Sequence, residues 1–207
     1  MLRVMINPQE RKRQEREARR HRIQDAARPV FFERGFARTS IEDIAKQAQL
    51  SVGAIYLYFK SKEDLYLSLL ERSLGTLADT LSAARDPRDA WASLAAWRTA
   101  EPESARALGM VGRPELRGAL SDEVADGLAR SLGRIRAGLA GSVSQALQSG
   151  RYRGCDADAV GETLWSGFVG ALAVDAMTTN VGGAALPAIF EIVDGGLRQT
   201  QPVRAAA

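Results

Sequence analysis

The sequence predicts an all-α protein of about nine helices, a three-helix N-terminal domain followed by a larger helical one. Three observations carry that expectation. Apolar residues recur at i, i+3, i+4 and i+7 through segment after segment, and no stretch alternates as a strand would. Alanine and leucine abound while aromatic residues make up only 6% of the chain, a composition that leans helical. Charge is also divided along the chain. Residues 1–62 hold fourteen Lys and Arg against seven Asp and Glu, whereas residues 63–207 hold fourteen against eighteen. The net charge of +3 therefore hides a basic head on an acidic body, the distribution of a nucleic-acid-binding domain joined to a domain with another task.

In chain order, the first patterned segment is residues 11–22, with Arg11, Lys12, Arg13, Arg16, Arg19, Arg20 and Arg22 around Glu15 and Glu17. It reads either as a solvated helix extension laced by i,i+4 pairs or as an arm reaching phosphate or an adjacent minor groove. The second reading is preferred because the segment abuts the unit described next; His21 within it reads as a surface residue. The following helix places Ile23, Ala27, Val30 and Phe31 on one face, with Phe32 and Phe36 closing a small core. Pro29 lies inside it and predicts a kink at 26–29, because proline lacks the amide donor and crowds the preceding turn. Gly35 is the C′ residue that ends it.

Residues 39–65 organise the rest. Thr39 and Glu42 stand in the capping-box relation, and Ile41, Ile44, Ala45 and Ala48 form one apolar stripe. Gln49 and Leu50 make a turn. Ser51 is the next N-cap, followed at the same spacing by Val52, Ile55, Tyr56 and Phe59. Ser61 opens a third helix with Glu63 and Asp64 in its first turn, where the helix dipole favours acid. Two short capped helices so closely joined make a helix-turn-helix.

Beyond it the pattern predicts a helix over 61–83 leading out of this unit, then short helices over 86–99 and 101–112 opened by Pro87 and Pro102. An irregular segment covers 112–120. A long helix over 122–149 carries Val124, Leu128, Leu132, Ile135, Leu139, Val143 and Leu147 on one face and ends at Gly150. Asp156 or Asp158 caps a helix over 157–180 that is apolar on more than one side, and a last helix starts at Pro187. The resulting domains are a basic arm (1–22), the helix-turn-helix (23–65), a larger helical domain (66–200), which the resemblance described next implies is regulatory, and a tail (201–207).

The run T-S-I-x-D-I-A followed by S-x-G-A-I-Y-x-Y-F-x-S-K-E-D-L, preceded by FFERGF, closely resembles the N-terminal domain of the TetR family of transcriptional regulators. The resembling part is residues 23–69, a quarter of the chain. In such a motif the second helix presents its leading end to the major groove. Ser51, Val52, Gly53 and Ala54 form that end here. Val52, Gly53, Ala54 and Tyr56 are expected nearest the bases, and Thr39, Ser40, Tyr58, Lys60 and Lys62 at phosphates. With no Arg, Asn or Gln at 52–54, bidentate base readout from those positions is excluded. The resemblance further implies a homodimer whose interface uses the last two helices, with Gly161, Leu164, Phe168, Leu172, Phe190 and Val193 as candidates. It also implies a pocket for a small, largely apolar effector, for which Trp91, Trp97, Met110, Trp165, Phe168 and Met177 are the large side chains available. Core packing is the competing role for each of these six.

The function expected is therefore a repressor that binds a palindromic operator as a homodimer and is released by its effector. A sequence-tolerant DNA-packaging protein is the alternative. Enzymatic activity is not expected. Cys155 and His21 are each the one residue of their kind, so no disulfide, zinc set or Cys-His couple is available, and Glu162 and Asp175 are isolated carboxylates. No cofactor or metal is expected. The longest apolar run, 164–174, falls short of a membrane span, and a cytoplasmic location is the expectation.

Overall fold

The computed structural model describes residues 7–111, 118–177 and 182–198. Among the described residues nine helices follow one another: α1 (Pro8–Arg38), α2 (Ile41–Ala48), α3 (Val52–Tyr56), α4 (Lys62–Ser82), α5 (Pro87–Ala100), α6 (Pro102–Met110), α7 (Asp122–Gln148), α8 (Ala157–Met177) and α9 (Gly182–Leu197). They form two compact units. One holds residues up to Leu69 together with the segment ending at Val124, and the other holds the remainder. The boundary thus falls four residues later than the sequence suggested. The first unit also takes back a short stretch, 118–124, from the middle of the chain. Both α4 and α7 pass from one unit into the other.

In the first unit α1 begins at Pro8, a residue that costs nothing at a helix start because its missing amide would be unpaired there anyway. The side chain of Asn7 caps it by accepting from the Gln9 amide at 3.1 Å. The basic segment 11–22 is thus helix, continuous with the helix that carries Ile23, Ala27, Val30 and Phe31 into the core. The kink expected at Pro29 is absent: the exposed proline sits within helical backbone, and the chain departs instead at Gly35, with φ 73° and ψ 163°. Only a residue without Cβ adopts that backbone freely. Phe36 stacks with Phe31 at a centroid distance of 6.2 Å and packs at a tilt against Tyr66 at 4.9 Å. Phe32, expected beside it, is 62% exposed. It lies about 100° around the helix from Phe31, off the buried stripe.

In the second unit the core is built from Leu70, Leu74 and Leu81 of α4, Leu94 of α5, Ile135, Leu139 and Val143 of α7, and Leu164 and Phe168 of α8. Two glycines set how closely the helices approach. A Cβ on Gly138 would meet Leu81 at 3.0 Å, and one on Gly161 would meet the backbone nitrogen of Ala140 at 2.9 Å. Gly161 therefore serves packing of α8 on α7 within the chain. Trp91, Trp97 and Trp165 surround Phe168 at 5.9–6.2 Å, and Trp91 stacks on Phe190 at 5.7 Å. The Trp97 indole donates to Ser73 Oγ at 2.8 Å, so its polar atom is satisfied.

This packing corrects the residues first assigned to a dimer interface. Leu164, Phe168, Leu172 and Phe190 are all buried within a single chain, because α8 needs apolar residues against α5, α6 and α9 before any partner arrives. Val193 alone of the apolar set is half-buried. Helix α9 also starts five residues before Pro187, which sits inside it. The end expected for α8 at 180 and the tail from 201 lie outside the described residues, as do the side chains of Met110 and Met177.

Candidate nucleic-acid interface

The local chemistry of the first unit explains how α3 is held. Two overlapping capping boxes are possible in T-S-I-E-D, and the one that forms is shifted by a residue from expectation. Ser40 Oγ accepts from the Asp43 amide at 3.1 Å, and the Ser40 amide donates back to Asp43 Oδ2 at 3.1 Å. The Ser40 hydroxyl also donates to Asp43 Oδ2 at 2.8 Å, and this bond, with that from the Ser40 amide and with Arg34 at 2.8 Å, holds the Asp43 carboxyl below its ordinary range. Thr39 is free to turn inward: it is 2% exposed and its hydroxyl donates to the carbonyl of Gly35 at 2.9 Å. Its side chain is thus a seal between α1 and α2 and is withdrawn from the phosphate set.

The turn passes through Gln49, the only non-glycine with positive φ (54°) among the described residues, whose amide donates to the carbonyls ending α2. Ser51 Oγ then accepts from the Ala54 amide at 3.2 Å and starts α3. Helix α3 is five residues long, with Ile55 buried beneath it and Gly53 exposed with open space where a Cβ would stand. Val52 and Ala54 are half-buried, and Tyr56 is 52% exposed. Small side chains at the leading end and a phenol at its side leave this helix free to enter a groove about 12 Å wide. Leu57, at 71%, is exposed next to it.

Tyr58 and Lys60 flank α3, with the Arg16 guanidinium 5.2 Å from the Tyr58 ring and near the Leu57 carbonyl at 3.5 Å. Lys62 points elsewhere. Its ammonium donates to the carbonyls of Phe36 and Thr39 at 3.0 and 3.1 Å and lies 4.3 Å from the Phe36 ring centroid. It therefore bolts the start of α4 to the end of α1, with one donor remaining for any other partner.

Sequence reasoning missed the group that anchors this surface. Asp64 is fully buried and accepts from the Lys60 amide at 2.9 Å and from both the amide and hydroxyl of Ser121 at 2.8 Å. Ser61 Oγ accepts from the Asp64 amide at 3.0 Å and donates to the Ala119 carbonyl at 3.1 Å. Residues 118–121 are thereby laid against the start of α4. Ser-x-x-Asp spacing at 61–64 was visible in the sequence, but the partner 57 residues away was not.

A short helix, rigidly capped behind a preceding one, with cationic and phenolic groups beside it, defines the class of this unit as a helix-turn-helix. Residues 23–69 match the family described as "Bacterial regulatory proteins, tetR family". The fatty acid metabolism regulator protein of Bacillus subtilis (strain 168) is 42% identical over 59 residues, which is 28% of this chain and 30% of that protein. The regulator TtgR of Pseudomonas putida is 39% identical over 79 residues, 38% of this chain and 37% of its own. These matches thus span about a third of the relatives' length. The fold likeness extends further. A TetR-family regulator from Pectobacterium atrosepticum superposes with a TM-score of 0.70 at 24% identity, covering 92% of this chain and 99% of that one. The regulator FadR of Bacillus subtilis, solved with stearoyl-CoA, gives 0.60 at 23% identity over 86% and 99%. The family match thus lies in residues 23–69, and the likeness of fold to solved TetR-family regulators extends over most of the chain.

Proposed function

We propose that this protein is a sequence-specific DNA-binding transcriptional repressor that binds a palindromic operator as a homodimer. The observation that carries the reading is the leading end of α3, with Ser51 and Gly53 exposed and Val52 and Ala54 half-buried, seated on a buried Ile55 and flanked by Tyr56, Tyr58 and Lys60. Val52, Gly53, Ala54 and Tyr56 meet the bases. Ser40, Ser51, Tyr58 and Lys60 meet phosphates, with Lys62 holding the frame. Since α3 offers no bidentate donor, selectivity rests on thymine methyls, the Tyr56 hydroxyl and DNA shape. A five-residue helix reads few base pairs, so twofold pairing supplies the missing affinity.

Pairing uses the outward faces of α8 and α9. Thr163, Ser166, Gly170 and Val174 line one side of α8, and Ala188 and Ile192 do so on α9, all exposed or half-buried in the single chain. Small residues let two helix pairs meet closely, and Ile192, 76% exposed, supplies an apolar anchor. We also assign the second unit the binding of a small, largely apolar effector among Trp91, Trp97, Trp165 and Phe168. The FadR structure with stearoyl-CoA supports a ligand role for a domain of this fold. Helix α4 runs from the DNA-facing unit into that domain and is the lever between them. A coupling of about 1–3 kcal/mol would weaken operator binding roughly 5–150-fold.

Fluorescence anisotropy with a selected duplex and a random one separates this reading from a sequence-tolerant packaging role. A repressor gives a specificity ratio of roughly 10³ or more. A ratio near one supports packaging.

A further inference from the structure

Helix α1 extends well before the core of the first unit, and its charges are sorted by face. Lys12, Arg16 and Arg19 follow one another at i, i+4 and i+7 and share a meridian with Ile23 and Val30, so the stripe that is apolar lower in the helix becomes cationic above it. All three are at least partly exposed, and none is ion-paired with a carboxylate among the described residues. The acids of this segment are turned aside. Glu10 binds Arg13 at 2.8 Å, Glu15 binds Arg11 at 2.9 Å, and Glu17 faces His21 at 3.1 Å. The stripe also has a fixed place relative to α3. Arg16 reaches the Leu57 carbonyl and the Tyr58 ring, the two residues that leave α3, and Arg20 one turn on lies over Phe59 at 5.2 Å.

We propose that Lys12, Arg16 and Arg19 form a rigid phosphate clamp, which grips the DNA backbone beside the groove that α3 enters. The proposal rests on the DNA-binding reading above and deepens it. Being helix, the segment is about 10–12 Å across with side chains, too wide for a minor groove about 6 Å wide. It therefore lies along the backbone and adds affinity without reading sequence. Lys12 stands roughly 6 Å along the axis from Arg16, so the clamp extends the footprint past Tyr58 and Lys60 toward the flank of the site. A preformed helix also loses less conformational freedom on binding than a disordered arm.

The test is the salt dependence of binding to a 30-bp random-sequence duplex, measured by anisotropy for the full chain. Three variants are compared: wild type, the triple variant K12A/R16A/R19A, and a charge-matched triple R11A/R13A/R22A on the other faces, with helicity checked by circular dichroism. Each phosphate that the protein ceases to neutralise lowers the slope of log K against log salt by about 0.9. The clamp predicts a slope shallower by about 2–3 per chain for the stripe variant and by less than about one for the control. Equal slopes for the two variants, or an unchanged slope for the stripe variant, would overturn the clamp and leave α3 as the DNA-binding element. A wild-type chain that binds no duplex at all removes the DNA-binding reading itself, and the clamp with it.

Discussion

Gln49 holds a left-handed backbone that glycine adopts at less cost, at the point where α2 must turn into α3. Gln49→Gly is therefore expected to raise stability by about 0.5–1 kcal/mol in urea titration, the relief of strain exceeding the added freedom of the unfolded chain. Tyr56 is the opposite kind of residue. Half exposed and outside the core, its replacement by alanine should shift stability by no more than about 0.5 kcal/mol, while operator affinity in a gel-shift titration falls at least ~10-fold, equivalent to about 1.4 kcal/mol of binding free energy. A larger loss of stability than of affinity would move Tyr56 into the frame. Asp64 belongs to the frame already. Asp64→Ala strands two amides and a hydroxyl that it now accepts from, at a cost of roughly 1–3 kcal/mol per buried group left unpaired. Hydrogen exchange should then show the Ser121 amide opening well before the core of the unit.

At the scale of elements, the second unit has its own staple. Asp194 of α9 accepts from the Tyr152 hydroxyl at 2.6 Å, from Arg198 at 2.8 Å and from Arg88 of α5 at 3.1 Å. Burial alone would raise the Asp194 carboxyl, but the bonds from Tyr152 and Arg198 outweigh it and hold it below its ordinary 3.8. Burial and the same carboxylate push the Tyr152 phenol well above 10.0. A depressed acid stabilises the fold above its unfolded value and loses that contribution as pH falls through the folded one. A raised phenol contributes below its unfolded value and loses it as pH climbs. Thermal melts should thus show a plateau between about pH 4 and 10 that falls at both ends, and Asp194→Asn should flatten the acid limb. A fall on the acid side unchanged in Asp194→Asn would place the titrating carboxylate elsewhere.

None of that staple was legible in the sequence, because Tyr152 stands in a loop and its partner is 42 residues away. What was legible is local. The cap Ser51, the prolines opening α5 and α6, and the apolar stripes of α2 and α7 are each set by neighbours within a turn or two. Misreadings arose where local rules tied or where tertiary packing decided. Thr39 and Ser40 both satisfied a capping box, and burial of Thr39 broke the tie. Apolar residues such as Leu164 and Phe190 were assigned to a partner chain, yet α8 is apolar on several sides because its own chain covers it.

For the molecule as a whole, two helices run from the first unit into the second, and the start of α7 is pinned to Asp64 through Ser121. The pairing face gives a further expectation: Ile192→Glu should leave each chain folded, since that side chain is exposed, but convert the dimer to monomers in sedimentation velocity and weaken operator binding. A dimer that survives the change would place the interface on other residues. The central claim is that α3 enters a groove, delivered in symmetric pairs. Selection of bound duplexes from a random library by the full chain tests it most directly. The account predicts enrichment of a palindrome whose half-sites lie one helical turn or a multiple of it apart, ~34–36 Å centre to centre. Recovery of duplexes with no shared sequence, or of a single unrepeated half-site, would contradict it.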